Sequence, residues 1–282
     1  MISAPDVNEF GLVISSISGA PAASIGASVT PGNNTYGSYT SIMSGATVTD
    51  DVYGLWVVIN TGFTSAAARD ILVTVGIDAA GGSSFTDWIP DLLGSGASNY
   101  AGASTSGAIW YYFPLFLKSG TSIGAKATVN NATVGTVSVG VKLFCKPSRP
   151  DLMPRFGTFV RAFGTATGTS SGTAVTAGGA SEGSWTQLGS AVADRLFFWQ
   201  VAYGLNNTAY NNNGVHIDLG IGDATNKRTP ILDQLVSTSA TETLSAVYVG
   251  AYAKAASGDL VYGRVQGASV PTGSSMAAWG VG

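Results

Sequence analysis

The sequence predicts an all-β protein built as two tandem antiparallel β-sandwiches, jelly-roll-like, that arose by internal duplication. Three observations carry this expectation. The stretch Phe10 to Thr40 returns as Phe156 to Thr186 at a constant offset of 146 residues, with Phe10-Gly11, Ser24, Gly26, Val29-Thr30, Gly32 and Gly37-Ser38 meeting their own residue types. Short apolar runs alternate with polar residues and are cut by Gly, Pro and Asn turns, the period of strands. No segment of useful length carries a helical period.

Beyond Thr40 the offset drifts by a few residues, as loop insertions cause, while the landmarks keep their order. Asp51, Trp56 and Val58 answer to Asp194, Trp199 and Val201; Gly76-Ile77 to Gly220-Ile221; Asp91-Leu92-Leu93 to Asp233-Gln234-Leu235; Tyr112 to Tyr248; Lys118 to Lys254. A series of weak matches in one order marks a repeat better than any one of them. The expected division is residues 1–146 as the first sandwich with an N-terminal arm, 147–155 as a Pro-rich linker, and 156–282 as the second sandwich. Each half lies near the usual size of a domain.

Residues 1 to 9 read as an extended arm. From Phe10 to Thr40, Pro21, Gly26 and the Pro31-Gly32-Asn33-Asn34 turn divide the chain into short extended pieces. Leu12 and Ile14 supply an apolar strand face, matched by Phe159, Val160 and Phe163. Asp51 to Asn60 is apolar on both faces, which predicts a central strand covered on both sides. Ile71, Val73, Val75 and Ile77 make the next strand. Trp88 to Leu93 fits one short helical turn, and Thr229-Pro230 ahead of Ile231 to Leu235 reads as an N-cap with proline at the first helical position. Trp110 to Leu117 is the heaviest apolar run, and Pro114 within it predicts a sheet edge or a bulge. Ile123 to Val129 and Val137 to Leu143 complete the first half. Val247 to Tyr252, the Ser257-Gly258 turn and Leu260 to Tyr262 repeat the plan. Pro147, Pro150 and Pro154 make the linker stiff and extended. Strand count and length favour a jelly roll, with an immunoglobulin-like sandwich as runner-up.

Charged residues are only 10% of the chain against about 25% in an average protein, so the surface is unusually neutral. Thirteen scattered basic residues and a net charge of -3 exclude a nucleic-acid partner, which needs clustered Lys and Arg. No window is apolar enough for a membrane-spanning helix, and Asp6 and Glu9 stand where a secretory signal carries positive charge. The low charge instead predicts a surface covered by other subunits, other copies of this chain included.

No catalytic, cofactor or metal constellation is expected. His216 is the sole histidine; it shares one strand face with Asp218, a pair that reads as a polar strand face. The scattered carboxylates Asp87, Asp91, Asp223, Asp233 and Glu242 become a hydrolase site only if two of them meet in a groove. Lone Cys145 reads as a small buried residue of the last strand of the first half. Trp88, Trp110, Tyr111 and Tyr210 lie in or beside predicted loops and are candidates for stacking on a glycan or touching a partner. Asn206 to Gly214 reads as a polar hairpin tip.

Gly37-Ser38-Tyr39-Thr40, the Asp51 to Asn60 strand, Val75-Gly76-Ile77-Asp78-Ala79-Ala80-Gly81, Ile89-Pro90-Asp91-Leu92-Leu93 and Tyr112-Phe113-Pro114-Leu115-Phe116 with Ser119-Gly120-Thr121 together resemble the structural proteins of tailed-bacteriophage particles. The likeness covers about 110 residues of the first half. The second half departs from it at Val249-Gly250-Ala251, where the first has Phe-Pro-Leu. The resemblance implies a β-sandwich building block of the virion, a capsid cement or decoration protein or a tail component, whose partners are copies of itself and other virion proteins. It implies no catalytic residues. The alternatives are a carbohydrate-binding or receptor-binding virion protein using loop aromatics, and a sandwich-fold hydrolase.

Overall fold

The computed structural model describes residues 10–17, 26–61, 71–94, 108–129, 137–147, 156–165, 172–205, 214–237, 249–267 and 274–282. Described residues of the first half form β1 (Phe10–Ser15), β2 (Ala27–Val29), β3 (Gly32–Asn33), β4 (Thr40–Met43), β5 (Val52–Thr61), β6 (Ile71–Asp78), β7 (Thr86–Gly94), β8 (Ala108–Leu117), β9 (Ser122–Val129) and β10 (Val137–Pro147). Those of the second form β11 (Val160–Phe163), β12 (Thr173–Ala174), β13 (Thr186–Gln187), β14 (Leu196–Leu205), β15 (Gly214–Gly222), β16 (Lys227–Ser237), β17 (Val249–Ala255), β18 (Leu260–Gly267) and β19 (Ser274–Val281). The described residues contain no helix.

Four sheets result, two from each half. In the first half β1-β10-β5-β8 faces β3-β9-β6-β7, with β2 and β4 pairing at β10 and β9. In the second, β11-β19-β14-β17 faces β13-β18-β15-β16, with β12 on β19. First and last long strands are neighbours in each half, and the long strands cross from sheet to sheet except at the β6–β7 and β15–β16 hairpins; this is a jelly roll made twice. Between these strands the pairing is antiparallel except for the two-residue contact of β3 with β9.

Alternation decides which side chains go inward. On β5, Leu55, Val57 and Ile59 point into the first sandwich beside Val139, Val141 and Leu143 of β10, all without exposed surface. Trp56, Val58 and Asn60 take the outer face. On β14 the inward set is Trp199, Val201 and Tyr203, which belong to the second half's own core. Trp56 and Trp199 therefore sit on opposite faces despite their matching place in the sequence. The inward sets, Val52, Leu55, Val57 and Ile59 in β5 and Leu196, Trp199, Val201 and Tyr203 in β14, match one residue out of step with the Asp51–Asp194 pairing, so Leu55 is the counterpart of Trp199, and a shift of one residue inverts the facing.

Two expectations need correction. Trp88 to Leu93 and Thr229 to Leu235 are strand, not helical turn, and lie in β7 and β16 at the edges of their sheets. An edge strand tolerates Pro90 and Pro230 as readily as a helix N-terminus does, so Thr229 is no N-cap. Both strands bulge at the same point, where Asp91 and Asp233 adopt φ of 54° and 50°. The bulges are fastened alike: the Asp91 N–H donates to Thr74 Oγ1 at 3.1 Å and the Asp233 N–H to Asp218 Oδ1 at 2.5 Å. The arm 1–9 and most of the linker lie outside the described residues, as does Tyr248.

Pro114 lies in β8 at its sheet's edge, where the bare backbone is used by the second half. Gly157 N–H donates to the Pro114 carbonyl at 2.9 Å and Phe116 N–H to the Gly157 carbonyl at 2.8 Å. This short parallel bridge starts the second half on the edge of the first.

Candidate functional site, the apolar junction between the halves

The outer face of β11-β19-β14-β17 carries Val160, Phe198, Ala202, Ala277, Trp279 and Val281, all buried and all in one apolar cluster with the first half's core. Strands β14 and β19 are thus apolar on both sides because each side has its own core to enter. The first half meets this face with an edge: β7 and β8, the last strands of its two sheets. Trp279 packs its ring edge-on to Tyr111 at 5.3 Å and donates from Nε1 to the Pro90 carbonyl at 2.9 Å. Phe198 meets Tyr112 at 6.0 Å, and Tyr53 meets Phe156 at 5.5 Å. Gln200, buried, donates from Nε2 to the Tyr112 carbonyl at 2.8 Å. Thr165 Oγ1 donates to Asp91 Oδ2 at 3.2 Å. The contact is an aromatic and aliphatic interior with few, directed hydrogen bonds, the make-up of a lasting protein interface.

The candidate aromatics divide around this junction. Trp88 is 6% exposed and donates from Nε1 to the Thr158 carbonyl at 3.0 Å; it is part of the seam. Tyr111 is fully buried and its hydroxyl donates to the Leu93 carbonyl at 2.8 Å. Burial lifts its phenol well above the ordinary value. Neither ring can reach a sugar, because each lies in a strand where the sequence suggested a loop. Trp110 is partly exposed on the outer face of β8, edge-on to Trp56 at 6.0 Å, with Lys142 Nζ 5.3 Å above its ring. Tyr210 lies outside the described residues, as does most of the Asn-rich stretch.

The described carboxylates with identified partners are used structurally, and Glu242 lies outside the described residues. Glu182, Asp218 and Asp233 bring ligand oxygens within 4.8 Å of one another, but Arg264 is lodged among them. Its Nε donates to Asp218 Oδ2 at 2.6 Å and its Nη2 to Glu182 Oε1 at 2.7 Å. The guanidinium balances the charge a cation would otherwise balance. His216 Nδ1 stands 3.9 Å from Asp233, and both are exposed. In the first half Lys126 takes the place of Arg264, bonded to Asp87 at 2.7 Å.

These cations cap a repeated stack. Arg264 lies 4.3 Å over Trp185, and Lys126 4.9 Å over Tyr39. Each ring rests on a glycine: a Cβ on Gly76 would come within 2.6 Å of Tyr39, and one on Gly220 within 2.9 Å of Trp185. The matched glycines, aromatics and cations are therefore one device kept in both halves. Tyr39 also donates to Asp87 at 2.6 Å. Asp87 is pushed upward by partial burial but held below its ordinary value by Lys126 and Tyr39. Cys145 is buried in β10, and that burial, with the negative charge of Asp50 nearby, pushes its thiol up to about 11.

No family model and no curated protein matches the chain. Among solved structures it is similar to the STIV MCP (10% identity, 96% of each chain covered, TM-score 0.40). It is also similar to Broad Bean Stain Virus (13% identity, 99% of this chain and 92% of that one, TM-score 0.36). A third is the PBSX exported protein XepA (9% identity, 100% of this chain and 90% of that one, TM-score 0.24). At these identities and scores nothing about function passes from them to this chain.

Proposed function

We propose that this chain is a structural subunit of a bacteriophage particle, a capsid cement or decoration protein or a tail component, which acts through contact between subunits and not through catalysis. The observation that supports this reading most is the junction. A jelly roll here uses the centre of one sheet's outer face, Trp279 and Phe198 with the residues around them, as an apolar surface for a neighbouring jelly roll. That is the property a particle subunit needs, and the low surface charge and the residue-level resemblance agree with it. The titratable groups with identified partners are bound up in bulges, turns and stacks. Mass spectrometry and cryo-EM of purified particles test the proposal. The chain is expected at a fixed ratio to the other particle proteins; finding it only outside assembled particles overturns the reading.

The glycan-binding alternative retains one described ring, the partly exposed Trp110. A glycan array probed with the intact chain and with Trp110→Ala addresses it, and silence on the array removes it.

A further inference from the structure

We draw no further inference here: the strongest candidate, the β16 edge of the second half where Leu232 and Leu235 each stand 57% exposed, is an apolar patch for which nothing in the structure shows what covers it.

Discussion

Replacing Trp279 by alanine separates the contact between the halves from the stability of each half. The side chain is fully buried, packed edge-on to Tyr111 and hydrogen-bonded to Pro90, yet it belongs to the shared cluster and not to the second half's own core. An aromatic of this kind removes about 150–250 Å² from water, which at about 25 cal/mol per Å² is about 4–6 kcal/mol. The unfolded chain already hides part of that area, and measured Trp-to-Ala losses in cores run at about 3–5 kcal/mol. Urea unfolding followed by far-UV circular dichroism is expected to show a loss of about 3–5 kcal/mol and two resolved steps, as the halves uncouple. Trp199→Ala is the control: it cuts into the second half's own core and is expected to weaken that half while leaving the junction side chains in place. A Trp279→Ala protein that loses less than about 1 kcal/mol and still unfolds in one step would refute the reasoning.

Further outcomes are expected. Gly76→Ala forces a methyl into the Tyr39 ring and is expected to cost about 1–3 kcal/mol, as overpacking does; thermal unfolding checks it. Asp218→Asn breaks the nearly buried pair with Arg264, whose side chains are 4% and 17% exposed, for about 3 kcal/mol, the low end for such a loss because Glu182 still holds Arg264. Lys118→Ala, from a pair whose lysine is 71% exposed, is expected to cost under about 1 kcal/mol, and the two are compared by urea midpoints. Cys145, raised from 9.0 to about 11 by burial, is expected to resist a thiol reagent at pH 8 until urea unfolds the chain. Because the folded value is the higher one, the stability it contributes is present below pH 9 and lost as pH rises towards about 11. Asp51 is depressed by the Ser119 N–H and then by Lys118. Its contribution is present above the ordinary carboxylate value of 3.8 and lost as pH falls through the lower folded value, so Asp51→Asn is expected to flatten the acid limb of a pH–stability curve.

The sequence made the strands and the repetition readable because both are local or periodic. Leu12 and Ile14, the β5 run and Val137 to Leu143 alternate plainly, and Asp51 to Asn60 announced two covered faces. Less readable was how the halves meet, since the partner of Trp279 lies 189 residues away at Pro90 and no period links the two. The β7 and β16 strands were misread because Pro at an edge and Pro at a helix start carry the same local signal. Trp56 and Trp199 matched in sequence but not in facing, since matching residue types put the two strands one residue out of step and only the inward sets Leu55, Val57, Ile59 and Trp199, Val201, Tyr203 reveal the true register. Trp88 and Tyr111 looked like loop aromatics for want of any sign of the second half. The Thr74–Asp91 and Asp218–Asp233 fastenings could have been suspected from the recurring Asp in both copies.

The join between the halves has a direction: one contributes a rim, the other a broad flank. Two identical halves cannot both fit such a join, so each half meets a separate demand. The half offering its rim has Tyr112 against Phe198 and the Pro114 carbonyl accepting from Gly157, where the other half has Val249-Gly250-Ala251. The difference between the halves at that place thus accompanies a division of labour within one repeated architecture.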